Sequence, residues 1–379
     1  MRILHAITTL DVGGAEMHLL AQVRGQSARG HEVRVVYLKG HGTLVKDFLA
    51  AGAKAVERVS FASGLAGALR SHLRWAEIVH THLLKADMAV AVFATLAGRR
   101  SGLVSSKHND EQVLRKPLVS FVHGLVGSLP RCTIPLSDHV ARFVAEHGRV
   151  PLARQRRIYY GLDPAPFEAA AARPAAEKLA LRKELGIAPD EVVFTCVARF
   201  APQKAHDVLL KAFDVARQRP GGEKLRLLLV GDDPFGDGRR KAEALARELR
   251  LGERALFAGI RRDVPALLAA SDVFVMSSLW EGLGLVFLES MATGIPVLST
   301  RVSAVPEVVE DGRTGLLVPP SDVTALADAM GRLGQDAELR ARLGAAGRGG
   351  VRKKFGLDRM VEETLAVYSE LQGNRAGGR

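Results

Sequence analysis

Short apolar runs alternate with amphipathic stretches along the whole chain. In the first half, runs at 3–8, 33–38, 78–81, 103–106, 132–136 and 157–160 are rich in Val, Ile and Leu and too short for helices, so they predict strands. Between them, apolar positions recur at helical spacing over 15–27, 86–97 and 139–147. That rhythm predicts a parallel sheet with helices on both faces. A second series follows an Ala-, Arg- and Pro-rich stretch at 163–174. Its strands are expected at 192–198, 225–230, 255–257, 273–276, 296–299 and 315–318, with helices at 208–217, 239–249 and 286–293. Two open α/β units, 1–168 and 169–356, fit better than one closed barrel, because eight regular units are not evident. An amphipathic helix over 357–371 is expected to pack back on the first unit, with a frayed tail from Gly373.

Composition narrows the function. The 379 residues exceed what one core usually serves, which agrees with two units. Cys132 and Cys196 stand far apart, so neither a disulfide scaffold nor a cysteine zinc site is expected, and a reducing cytosol suits the chain. The longest uncharged stretch, 117–130, is interrupted by Ser120, His123 and Ser128 and is too short to span a bilayer. Asp11 and the Gly13-Gly14 pair follow the first apolar run at once, so that run reads as a strand rather than a secretory leader. The expectation is a cytoplasmic protein. The net charge of +12 is uneven: residues 1–189 hold 26 Lys and Arg against 15 Asp and Glu, and residues 190–379 hold 27 against 26. A basic first half suggests an anionic partner, such as a membrane surface on its inner face or a phosphorylated acceptor. Aromatics make up only 5%, which argues against stacking on single-stranded nucleic acid.

Four strand-to-helix junctions carry candidate chemistry. Residues 8–16 (TTLDVGGAE) place Gly13 and Gly14 where backbone amides can approach a phosphate, without the Gly-x-Gly-x-x-Gly or Gly-Lys-Ser/Thr patterns of nicotinamide or ATP sites. Arg199 and Lys204 flank a turn directly after a strand and can clamp a diphosphate. Residues 281–289 (EGLGLVFLE) put Glu281 before two flexible glycines and Glu289 inside an apolar helix, where a carboxylate needs hydrogen-bond donors. His108 follows another strand, and His82 ends a third.

These residues resemble the retaining glycosyltransferases of family 4 type, which have the GT-B fold of two Rossmann-like doubly wound domains facing across a cleft. The likeness extends to residues 306–312 (PEVVEDG) and 315–319 (GLLVP) and so covers most of the chain. The resemblance implies a hexosyltransferase with a nucleotide diphosphate sugar as co-substrate and a glycan or lipid-linked acceptor. By it, Gly13 and Gly14 face the donor phosphates, and Arg199 and Lys204 neutralise the leaving group. Glu281, with the backbone of Gly282, Leu283, Gly284, Leu285 and Val286, holds sugar hydroxyls and the distal phosphate. Glu289 grips the ribose, His108 sits beside the reacting sugar, and Glu16 and His82 line the acceptor side. The chain departs from the family pattern at Ala205, where glycine is usual, and at Tyr160-Gly161, where Asn-Gly is frequent.

The sequence contains no Asp-x-Asp, so fixed cations and helix termini are expected to stabilise the departing diphosphate without a metal ion or other cofactor. A nucleotide-sugar 2-epimerase of the same fold is the nearest rival, and a basic nucleic-acid-binding protein the rival of another class.

Overall fold

The computed structural model describes residues 1–59, 65–233 and 236–376. The chain forms two compact units: Met1–Gly161 with Phe355–Arg379, and Leu162–Lys354. The crossover lies at Gly161/Leu162, ahead of the 168/169 boundary read from composition. The helix Ala165–Ala171 belongs to the second unit because Phe167 and Ala170 are buried there.

In the first unit, β1 (Arg2–Ile7), β2 (Glu32–Tyr37), β3 (Ala55–Arg58), β4 (Ile78–His82), β5 (Leu103–Lys107) and β6 (Cys132–Pro135) make a parallel sheet in the order 3-2-1-4-5-6. β4, β5 and β6 are buried along their whole length, as expected of strands covered on both faces. Strand β3 escapes the sequence pattern because it is a half-exposed edge of Ala, Val, Glu and Arg. The strand expected at 157–160 is absent. That run bonds β6 only intermittently, through a bridge from Gln155 to Thr133 and an Ile158 amide donating to the Pro135 carbonyl at 3.1 Å.

In the second unit, β7 (Val192–Val197), β8 (Leu225–Val230), β9 (Ala255–Gly259), β10 (Val273–Met276), β11 (Val297–Thr300) and β12 (Gly315–Val318) lie in the order 12-11-10-7-8-9, again all parallel. Counted from β7, this is the winding of the first sheet. Each sheet therefore reverses its strand order once, at β1/β4 and at β7/β10. Ligands of open α/β sheets collect outside the carboxyl ends of strands at such a reversal.

The last helix, Leu357–Ala376, runs past Gly373, while residues 377–379 lie outside the described residues. It packs on the first helix, Gly14–Ala28, and its Met360, Val361, Val367 and Tyr368 enter the core around β1. A Cβ on Gly25 would sit 2.5 Å from Val361, so glycine sets the closeness of that approach. Among the described residues, no helix is long and apolar enough to cross a membrane.

Candidate functional site

At the β7/β10 reversal, two loops are stitched together. The Leu279 amide donates to the Gln203 carbonyl (2.8 Å), Gln203 Nε2 donates to the Trp280 carbonyl (2.6 Å), and the Ser277 hydroxyl donates to the carbonyls of Lys204 and Ala205 (both 2.9 Å). This frame brings Lys204 Nζ to 2.5 Å from Glu281 Oε1, which also accepts from the Ser278 hydroxyl at 2.6 Å. The pair is nearly dry: the Lys204 side chain is 14% exposed and that of Glu281 5%. Arg199, two residues past β7 at the start of the same loop, is exposed and has no carboxylate partner among the described residues. Beyond Glu281 the helix Leu285–Thr293 opens at Gly284, whose φ of 77° is a left-handed value that glycine adopts without strain. Glu289 follows on that helix, and burial pushes its carboxyl up to about 7. No described side chain hydrogen-bonds it.

The β1/β4 reversal centres on neutral imidazole and amide groups. The first helix carries His18, Gln22 and Gln26 at fourfold spacing on its buried face. Gln22 and Gln26 form a continuous hydrogen-bonded network with His5 on β1, His82 on β4 and His108 after β5, and its polarity is fixed from one end, while His18 and His80 lie beside it. Thr364 of the last helix donates to the Met360 carbonyl, so its oxygen accepts from Gln22 Nε2 (2.8 Å). The Gln22 oxygen then accepts from Gln26 Nε2 (3.2 Å), and the Gln26 oxygen from His5 Nε2 (2.9 Å). His5 Nδ1 is left to accept from His82 Nε2 (3.0 Å), and His82 Nδ1 from His108 Nε2 (3.1 Å). His108 Nδ1 finally accepts from the Tyr160 hydroxyl (2.6 Å). Burial lowers all five histidines, with His5 and His108 at about 4, so they are neutral at pH 7.

Ring nitrogens of His5, His80 and His82 lie within 4.8 Å of one another, the spacing of a metal-ligating triad. All six are already engaged, His80 through Tyr368 (2.5 Å) and Ser106 (2.7 Å). A small pocket lies above His108, lined also by His18, Lys107 and Tyr160. Lys107 is paired with buried Asp87 at 2.5 Å. His18 stacks on Tyr160 with centroids 4.2 Å apart, and its Nδ1 has no hydrogen-bond partner among the described residues.

Residues 12–166 match the family Glycosyltransferase Family 4, and residues 177–350 match Glycosyl transferases group 1. The chain is 29% identical to D-inositol 3-phosphate glycosyltransferase of Nocardia farcinica, over 97% of its own length and 88% of the relative's. It is 33% identical to N-acetyl-alpha-D-glucosaminyl L-malate synthase of Bacillus anthracis, but there the match spans about half of each chain, 52% and 51%. Among solved structures, Anabaena HepE in complex with UDP-glucose aligns with a TM-score of 0.86 at 22% identity, covering 98% of this chain and all of the other. That likeness shows a shared GT-B fold.

The chain belongs to the family 4 glycosyltransferases.

In this glycosyltransferase the second unit brings Arg199, Lys204, Glu281 and the start of the Leu285–Thr293 helix to one strand-end locus. Gly282 is buried, and Leu283 also turns its side chain into the interior, leaving its backbone for any ligand. Leu285 and Val286 are partly buried in the first turn of the helix. In the first unit, Gly14 is open, whereas a Cβ on Gly13 would lie 2.5 Å from the Glu16 carboxylate, which also accepts from Thr9 at 2.5 Å. Glu16 therefore lies against the glycine loop. His82 is fully buried between His5 and His108, so it acts on the pocket only through His108.

Sequence reasoning missed His18, Gln22, Gln26, Tyr160 and Thr364. The signal for the first three was present: polar residues four apart among Leu19, Leu20 and Val23 on one helix. The two departures from the family pattern fall at the sites. Tyr160 supplies the hydroxyl on His108, and Ala205 caps the helix His206–Arg217 at φ 46°, a left-handed conformation that explains why glycine is usual there.

Proposed function

We propose that this glycosyltransferase moves a hexose-type sugar from a nucleoside diphosphate donor to a glycan or lipid-linked acceptor, with retention of anomeric configuration and without a metal ion. The observation that carries this reading is the Lys204–Glu281 pair beside unpartnered Arg199 at the second unit's strand reversal. Charge grows on the diphosphate as the anomeric bond breaks. Arg199, Lys204 and the free amides that open the Leu285–Thr293 helix supply fixed compensation for it. Glu281 is committed to Lys204 and Ser278, which suits a sugar-holding role better than that of a free nucleophile. The departing phosphate then takes the acceptor proton on the face it leaves, and retention follows. A donor of the UDP-sugar class is supported by neighbours solved with UDP and with UDP-glucose.

The acceptor is assigned to the first unit, where His18 Nδ1 and His108 offer neutral imidazole to a hydroxyl group. A hydroxyl reaches His108 Nδ1 by displacing Tyr160. The first unit carries 25 Lys and Arg against 15 Asp and Glu, the second 28 against 26. That excess favours an anionic acceptor, presented at the inner face of the cytoplasmic membrane during cell-envelope polysaccharide or glycolipid synthesis. Relatives whose names contain inositol 3-phosphate and phosphatidylinositol monomannoside support the same class.

The test is the Arg199→Ala variant assayed for turnover and for donor affinity by titration calorimetry in metal-free buffer. Turnover is expected to fall about 100-fold or more while donor Kd changes less than about 5-fold. Equal losses would reduce Arg199 to ground-state binding, and an epimerised nucleotide sugar from donor alone would replace the transferase reading.

A further inference from the structure

The helix Pro117–Gly127 in the first unit exposes an apolar stripe that the reaction does not use. Leu118, Phe121, Val122 and Leu125 are 75, 51, 39 and 59% exposed. Their spacing, i, i+3, i+4 and i+7, puts them on one face. Ser120, His123 and Gly127 hold the opposite face in the protein, with His123 Nδ1 bonded to the Gly148 carbonyl at 2.6 Å. An outward helix face is normally polar, yet this helix has no charged residue at all.

Cations frame the stripe. Arg115 and Lys116 are exposed immediately before it. The Arg149 guanidinium lies 5.7 Å from the Phe121 ring centre and its Nε bonds the Ser120 hydroxyl at 3.3 Å. At the far end, Arg154 and Arg100 donate to the Ser128 carbonyl at 2.9 and 3.4 Å. None of these five cations has a carboxylate partner among the described residues, and residues 112–137 contain no Asp or Glu.

We propose that this helix is the surface on which the chain sits on an anionic phospholipid bilayer, its four apolar side chains in the interface and its cations on lipid phosphates. An apolar stripe bounded by basic residues is the composition of helices that lie in the bilayer plane. A second copy of the chain is a poorer occupant, since a two-fold interface would set these unpaired cations against their own equivalents. Nucleic acid leaves the aliphatic stripe unused. The proposal rests on the reading of a membrane-presented acceptor and locates where that membrane is met.

The experiment is flotation of the full chain with vesicles of phosphatidylcholine alone and of phosphatidylcholine mixed with phosphatidylglycerol, for wild type, for Leu118→Glu with Phe121→Glu, and for Leu125→Trp. Circular dichroism and melting check that the variants fold, and donor hydrolysis without vesicles is expected to stay at the wild-type rate. The wild type should float with the anionic vesicles only, the double variant should bind at least about 10-fold more weakly, and the Leu125→Trp emission should be quenched by brominated lipid. Equal binding by the double variant would overturn this surface while leaving a membrane acceptor in place. No binding by the wild type would overturn both. A vesicle-independent dimer that the double variant abolishes would give the face to a second copy and overturn the lipid assignment.

Discussion

At the β1/β4 reversal the histidines are neutral and buried, and the charges beside them, Lys107 and Asp87, are buried as a pair; at β7/β10 the polar groups are charged, and Arg199 stands in solvent. The two sheets share one winding order, so winding fixes where a ligand meets each unit and not what chemistry it meets. Neutral imidazoles with assigned proton positions suit hydroxyl groups. A lysine held by a glutamate beside an unpartnered arginine suits a polyanion whose charge changes during reaction.

Acid offers the largest test of this contrast. Burial holds His5 and His108 at about 4, below an ordinary value of 6.5. The unfolded chain therefore binds protons that the fold refuses. Stability is full above about pH 6.5 and is lost as pH falls toward 4, by on the order of 3 kcal/mol for each of the two. Eleven of 12 histidines lie in the first unit. Hydrogen exchange at pH 5 is expected to show β1 and β4 losing protection before β7 and β10, and simultaneous loss would break the comparison.

The next effect belongs to the second unit. Lys204→Met strands the Glu281 carboxylate in a nearly dry site and is expected to cost about 3–5 kcal/mol in urea unfolding. Adding Glu281→Leu should recover most of that stability but none of the turnover, separating the pair's structural burden from its chemistry.

In the first unit, Thr364→Val removes the hydroxyl that anchors the directed network and should cost about 1–2 kcal/mol. Turnover is expected to fall with donor KM unchanged, because Gln22 and Gln26 can then rotate and His108 loses its assigned tautomer. Unaltered imidazole nitrogen chemical shifts would show that the network holds its polarity without this anchor. The smallest effect is Ala205→Gly, expected to raise stability by about 1 kcal/mol in a melting experiment by relieving the left-handed alanine.

Much of this was legible in the sequence, and the exceptions have physical causes. Buried strands such as β7 and β8 announce themselves as short apolar runs, whereas edge strand β3 has no such run. Arg199, Lys204 and Glu281 were readable because charges at strand ends are conspicuous against apolar neighbours. The first unit's site was less so. Its donors and acceptors come from β1, β4, the first helix and the last one, and Gln22 meets Thr364 across 342 positions. Sequence spacing registers the fourfold recurrence of His18, Gln22 and Gln26 but carries no sign of their distant partners. Leu83 was equally silent: its φ of 68° and ψ of 148° place a leucine in a strained, glycine-favouring conformation directly after His82, and only coordinates reveal it.

The return of the final helix to the first unit reverses the order in which the molecule can be completed. Tyr368, fully buried against His80, is made only after everything the second unit needs, which is complete by Lys354. The unit whose strands are made first is thus the unit that must wait, with β1 and its histidines lacking their cover until the Leu357–Ala376 helix has been made. A nascent chain stalled before Phe355 should hold a finished second unit behind an unfinished first one, and premature termination there would expose the first unit's core to proteolysis first.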